Sequence, residues 1–331
     1  MLPAFGWQAV LTHWEFAPAV TAAVLAAGAL YLWGAWRVGR RHPARPWPWW
    51  RTGMFLAGLA VVVIAIESGI GAYDEVLFWD HMVQHLLLIM IAPPLLVAGQ
   101  PFTLLLHASR NPLHTWAKRV MRSRVVSFLT WPPFGLVAYT ATVVGTHLTG
   151  LTGLILRNPV MHDAEHVLYL VVGYLFFLPL LGREPIRWQV SYPIRILVLA
   201  LAMPVDTFTG LVLGYASPGV YTVGPRPPGS PGPVEDVHWA GAAMWIAGDA
   251  IMLAFIMLIV LMWSRDERSP LAMSGWLEAA RKSHFDELAA PGGAPAATAG
   301  AGRGGIDDDE HLAAYNAYLA RLNGPGAGET G

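Results

Sequence analysis

Cysteine is absent from the chain, so neither a disulfide framework nor a thiolate-bound metal is possible, and a soft ion would have to be held by histidine or methionine. Charge is scarce too: 13% of the 331 residues are Asp, Glu, Lys or Arg, against 55% hydrophobic residues, 15 Trp and a mean hydropathy of +0.45. This composition excludes a water-soluble domain of such length and makes the chain an integral membrane protein. The formal net charge is −1, and no basic patch interleaved with aromatics occurs among the 21 basic residues, which argues against a nucleic-acid partner. There is no Ser/His/Asp arrangement, no GxGxxG and no Walker loop, so hydrolase and nucleotide chemistry have no support.

What the chain has in abundance is long apolar runs. Runs of about 20 apolar residues, enough to cross a hydrocarbon core of roughly 30 Å, occur near 17–36, 53–72, 81–99, 125–147, 162–181, 194–215 and 239–263. The fold class that follows is an all-α bundle of seven transmembrane helices. The segment RVGRRHPARPWPWWR places five arginines with an interfacial Trp belt between the first two spans. Arg110, Lys118, Arg119, Arg122 and Arg124 lie between the third and fourth, Arg183, Arg187 and Arg195 between the fifth and sixth, and Arg265, Arg268, Arg281 and Lys282 after the seventh. The opposite loops hold only Arg157 and Arg226, so the positive-inside rule puts the N-terminus outside and the C-terminus in the cytoplasm. The first apolar run has no basic leader and is flanked by charge on its C-terminal side, so it reads as a retained helix.

The domain reading is a seven-helix transmembrane domain over 1–265, a cytoplasmic juxtamembrane segment over 266–290, a flexible Gly/Ala linker over 291–306, and a short amphipathic helix and tail over 307–331. The loop ASPGVYTVGPRPPGSPGPVED is too rich in Pro and Gly for a helix and is expected to lie over the external mouth.

On this topology the histidines segregate. His81 and His85 open span three, His147 closes span four, His162 and His166 open span five, and His238 opens span seven, all at the external end. Residues four apart share one helix face with Cβ atoms about 5–6 Å apart, so both imidazoles of a HxxxH pair can reach one ion. HMVQH and HDAEH sit in the first turns of helices running the same way, hence at the same depth, and together would make a four-imidazole cluster. A single interfacial histidine is ordinarily a satisfied polar residue, but six in one layer point to a metal or haem site. Histidine without cysteine, with Met82, Met161 and Met244 nearby, favours copper, while Asp80, Asp163 and Glu165 keep iron and zinc open. Glu67, Asp206 and Asp249 fall within apolar spans, where they either orient ligands and pass protons or pair with Ser68, Thr207 or backbone. Pro93-Pro94, Pro132-Pro133 and Pro204 interrupt the backbone ladder of spans three, four and six and are expected to kink them.

The stretches DHMVQHLLLIMIAPPLLVAGQP and MHDAEHVLYLVVGYLFFLPLLGREP resemble the two signature segments of the multi-spanning bacterial cytochrome c oxidase assembly factors of the CtaG type. The resemblance covers roughly residues 17–265. It implies a non-enzymatic role in maturing a haem-copper oxidase in the bacterial plasma membrane, with oxidase subunits and membrane lipid as partners and copper as the ion handled from the external side. Carried onto this chain, it points to His81, His85, His162 and His166. It also implies an Asp-Gln type pair opening span seven, where this chain has Val237 and His238 ahead of WAGAAMW. Two other functions compete: a membrane redox protein whose histidines and carboxylates hold two irons or a haem, and a metal-free scaffold that contacts the oxidase.

Overall fold

The computed structural model describes residues 4–266 apart from 7, 9–11, 189 and 218–224. The expected juxtamembrane segment beyond residue 266, the Gly/Ala linker and the C-terminal helix lie outside the described residues. Met1–Ile259 form one compact unit, which holds all of the residues of the site, and Val260–Gly331 form a second.

The described residues are helical, with one isolated antiparallel bridge between Trp14 and Ser68. In chain order the elements are α1 (Pro18–Arg41), α2 (Trp49–Glu67), the short α3 (Gly69–Tyr73), α4 (Phe78–Leu86), a π turn (Leu87–Ile91), α5 (Ala92–Ala98) and α6 (Pro101–Ala108). They continue with α7 (Leu113–Met121), α8 (Arg124–Leu129), α9 (Pro132–His147), α10 (Leu151–Ile155), α11 (Pro159–Leu181) and α12 (Tyr192–Gly214). Last come α13 (Pro233–Ala242), a second π turn (Ala243–Ala247) and α14 (Gly248–Ser264). Among the described residues, six stretches are long and apolar enough to cross a membrane: Pro18–Arg41, Trp49–Glu67, Phe78–Ala108, Pro159–Leu181, Tyr192–Gly214 and Pro233–Ser264. This is the architecture of a multi-pass membrane protein.

The run expected as a single span over 125–147 is instead two helices. Trp131, which precedes Pro132, is held in the extended region at φ −73°, ψ 125°, because a proline ring disfavours the α conformation in the residue before it. Helix α9 therefore starts afresh at Pro132, and its 16 residues make only about 24 Å of helix. The other double proline acts differently. Pro93 and Pro94 come one residue after the π turn Leu87–Ile91, whose wider winding accommodates prolines that lack an N–H and crowd the carbonyl four residues back. Gly173 of α11 packs on the Ile89 carbonyl, where an added Cβ would come within 2.3 Å of the oxygen. Pro204 sits inside the continuous helix α12.

The Phe78–Ala108 stretch is the most buried of the six, packed by α2, α11 and α13, while α11 packs on α9, α9 on α12 and α12 on α13. These contacts close a ring whose interior holds Tyr139, Tyr169, Met82, Leu88, Met90, Phe176 and Phe177. The outer surface carries exposed Leu25, Leu30, Val137, Leu197, Leu201 and Leu253, the kind of surface a bilayer covers. Near the ends of α1 and the start of α2, Arg37, Arg40 and Arg51 stack over Trp33, Trp36 and Trp47 at 4.8, 5.1 and 4.9 Å, as in an interfacial belt.

At the end of the bundle holding the α6 N-terminus, Gln100 turns the chain in the left-handed region at φ 53° and leaves α6 without a cap of its own. Glu184 supplies one from the loop after α11, accepting from Phe102 N (3.1 Å), Thr103 N (2.8 Å) and Thr103 Oγ1 (2.5 Å). Burial pushes its carboxyl above the usual range, and these hydrogen bonds oppose the shift. Glu184→Ala leaves two helix N–H groups without an acceptor, so about 1–3 kcal/mol of stability should be lost, read as a lower thermal midpoint of the detergent-solubilised protein.

Candidate metal centre

The histidine end of the ring is built by three elements. Helix α4 brings His81 and His85 one turn apart on its buried face. Its start has no side-chain cap from its own N-cap residue, Leu77; instead Asp236 of α13 accepts from Phe78 N (3.1 Å) and Trp79 N (2.9 Å) and pairs with Arg226 Nη2 at 2.7 Å. Helix α11 opens on Asn158, which accepts from Val160 N and Met161 N, with Pro159 pre-set for the first turn. That places His162, Glu165 and His166 on its inner face. Helix α9 ends at His147.

Five of the six expected histidines are buried together, with His81, His85 and His147 each 1% exposed. Ring centroids lie 4.1 Å apart for His81 and His85, 5.4 Å for His81 and His162, 5.2 Å for His85 and His147, and 4.5 Å for His162 and His166. His238 is the exception: it is exposed, because Asp236, Val237, Ala240, Gly241 and Met244 make the buried face of its helix and His238 falls on the other. The residue that start of helix sends inward is Asp236. Of the three methionines near the histidines in sequence, Met82 and Met244 fill the apolar core and Met161 is 37% exposed.

Hydrogen bonding fixes which nitrogens can take a cation. Gln84 donates its amide to the Ala65 carbonyl (3.0 Å), so its Oε1 faces His166 Nε2 at 2.9 Å and accepts from it. That nitrogen is thereby engaged as a donor. His147 Nδ1 lies 3.0 Å from the Val143 carbonyl, which can only accept, so Nδ1 carries the proton and Nε2 presents a lone pair. Tyr169 OH and Thr146 Oγ1 stand by the same Nδ1 at 3.2 and 3.0 Å and brace the ring. His147 Nε2 faces His85 Nδ1 at 3.2 Å.

On the side toward α11, imidazole nitrogens face carboxylate oxygens. His85 Nε2 and His81 Nε2 lie 3.5 and 3.8 Å from Glu165 Oε2, and His162 Nε2 and His166 Nε2 lie 3.6 and 3.8 Å from Asp74 Oδ2. His81 Nδ1, His85 Nε2, His162 Nε2 and Glu165 Oε2 are buried and make no hydrogen bond. Such groups are costly to bury unless something neutralises them, and a cation among them would do so. Two sets of possible ligand atoms lie within 4.8 Å of one another: His81, His85 and His147, and Asp74, His81 and His162. Ligand nitrogens at about 2.0–2.1 Å from an ion are at most about 4.2 Å apart, so either set needs only a small contraction.

Asp74 is the ligand candidate that sequence reasoning passed over. It lies outside the apolar runs, in the turn between α3 and α4, yet is 3% exposed, and burial pushes its carboxyl well above the usual range. The available signal was an acid in a tight turn just ahead of a HxxxH helix. Asp163 is exposed, and Asp80 is buried with neither carboxylate oxygen hydrogen-bonded. The acids of the apolar spans have ordinary partners: Tyr139 OH donates to Asp206 at 2.8 Å, Thr207 to Asp249 at 2.6 Å, and Thr21 to Glu67.

Uncharacterized proteins of Mycobacterium bovis and Mycobacterium tuberculosis are each 32% identical over 271 residues, covering 78% of this chain and 40% of their own. An uncharacterized protein of Mycobacterium leprae is 28% identical over 266 residues, covering 77% of this chain and 40% of its own. The chain thus spans about 40% of the length of these curated relatives. No solved structure matches. Residues 29–266 match the family described as cytochrome c oxidase caa3 assembly factor, and the chain, all five of its clustered histidines inside that range, belongs to this Caa3_CtaG family.

Proposed function

We propose that the chain serves the assembly of a haem-copper cytochrome c oxidase by binding copper among His81, His85, His147, His162 and Asp74 and delivering it to oxidase subunits. The observation that carries this reading is that His81 Nδ1, His85 Nε2, His162 Nε2 and Glu165 Oε2 are buried together without hydrogen bonds in a chain with no cysteine. Copper here is cargo, so reversible holding by imidazole suits the task better than the tighter grip of thiolates. Tyr169 orients His147 from behind. The proposed topology places the N-terminus outside and the C-terminus in the cytoplasm of the bacterial plasma membrane, the split 124–147 segment crossing with the six long helices. The histidine end then faces the external side, where copper would be handed over.

Glu165 and Asp74 give a second reading its footing, since carboxylate oxygens among histidines also suit iron or zinc. Haem fits less well: imidazole rings 4.1–5.4 Å apart leave no slot for a porphyrin. Elemental analysis of the purified full chain separates the readings. Copper near one equivalent is expected. Iron or zinc at stoichiometric level replaces the copper reading, and oxidase maturation that survives the combined change of His81 and His85 to Ala, with the protein still inserted, leaves only a scaffold role.

A further inference from the structure

Two sets of ligand atoms that share one residue cannot both be filled in the ordinary way. His81 belongs to both, with His85 and His147 in one and with Asp74 and His162 in the other. A neutral imidazole has a proton on one nitrogen and a lone pair on the other, so it serves one ion at a time. Holding two would require stripping the remaining proton to make an imidazolate bridge. The two sets also differ in position and chemistry. His81, His85 and His147 are each 1% exposed and offer three nitrogens. In the other set Asp74 and His162 are 3% and 6% exposed, one ligand atom is a carboxylate oxygen, and His162 Nδ1 lies 4.0 Å from Glu75, whose side chain is 60% exposed. That set is therefore the one next to solvent.

Resting on the metal-binding reading above, we infer that these are two successive stations for a single copper ion, which passes between them with His81 as the residue common to both. At the outer station the ion is held by one oxygen of Asp74 and one nitrogen each of His81 and His162. Moving inward, it breaks its bonds to Asp74 and His162 and forms bonds to His85 and to His147 Nε2, which gives up its hydrogen bond to His85 Nδ1; His81 serves as a ligand at both positions and no electron moves. Charge compensation passes in step from the Asp74 carboxylate to that of Glu165, which lies 3.5 Å from His85 Nε2 and 3.8 Å from His81 Nε2. The stacked His81 and His162 rings and the adjacent His81 and His85 rings keep the two positions close enough for exchange without a free ion in between. Outward transfer is the same path reversed, so the outer station is also where a recipient would take the ion.

The test is titration of the full-length protein in detergent with Cu(II) ions alone, reading stoichiometry by elemental analysis, nitrogen coupling by electron paramagnetic resonance, and loading rate by stopped flow. Wild type should bind one ion with three coupled nitrogens. Asp74→Asn and, separately, His162→Ala should keep that signature and load about tenfold or more slowly, the scale on which supporting ligands act; two variants are used so that one failing to fold leaves the other. His147→Ala should still bind one ion, more weakly, with fewer coupled nitrogens. Two ions per wild-type chain, unchanged loading in the folded outer-station variants, or complete loss of binding in His147→Ala would each overturn the relay and leave copper binding itself standing. Absence of copper from the wild type overturns both.

Discussion

His81→Ala is expected to abolish copper binding almost entirely, with affinity falling at least a few hundred-fold, while His238→Ala leaves it unchanged. The size follows from dividing the roughly 10–16 kcal/mol of a protein-held metal site over its ligands, which gives each about 3–4 kcal/mol and therefore several hundredfold in affinity. His81 is the one residue common to both ligand sets, so no alternative set of three survives its removal. His238, equally prominent in the sequence, is exposed and outside both sets. The metal-free protein should tolerate His81→Ala far better than the loss of an ordinary buried polar group. His81 Nδ1 makes no hydrogen bond, so truncation removes an unsatisfied atom as well as packing. Chelator competition checks the affinities, and thermal unfolding without metal separates ligand loss from misfolding.

The same contrast shows what the sequence could and could not convey. Apolar runs and helix-end histidines were enough to find the long helices and to expect His81, His85, His147, His162, His166 and His238 in one layer, of which all but the exposed His238 are buried, because helix length and phase are local properties. Partnership is not local. That His166 gives its Nε2 to Gln84 depends on the Ala65 carbonyl holding the amide in one orientation, and that carbonyl comes from another helix. Asp74 joins the site only because the turn after α3 is folded inward. The span over 125–147 looked continuous by hydropathy, whereas the backbone restriction imposed on Trp131 by Pro132 cut it in two. At the start of α13, hydropathy alone could not distinguish the outward His238 from the inward Asp236, two residues apart.

Asp236 also links the metal centre to a close backbone contact between α12 and α13, and this gives the second large effect. Gly210 of α12 and Gly241 of α13 face each other so closely that a Cβ on Gly241 would lie 2.5 Å from the Gly210 carbonyl oxygen and 2.7 Å from Gly214 backbone atoms. Reciprocally, a Cβ on Gly210 would lie 2.6 Å from the Gly241 carbonyl oxygen. These are backbone atoms and cannot turn aside as a side chain could, so the helices themselves must part. Gly241→Val should therefore cost about 3 kcal/mol or more, the upper end for overpacked cores, seen as a large drop in thermal midpoint. Asp236 precedes Gly241 on α13 by little more than one turn and holds the first N–H groups of α4, so displacing α13 slackens the helix that carries His81 and His85. Copper affinity should fall about 10–100-fold although no ligand is touched, the range typical of disturbed supporting interactions. Asp236→Asn keeps an acceptor for α4 but loses the ionic pairing with Arg226, so it should weaken copper binding less and leave the helix contact intact. Copper affinity that stays at the wild-type level in folded Gly241→Val would show that α13 does not position the histidine helix.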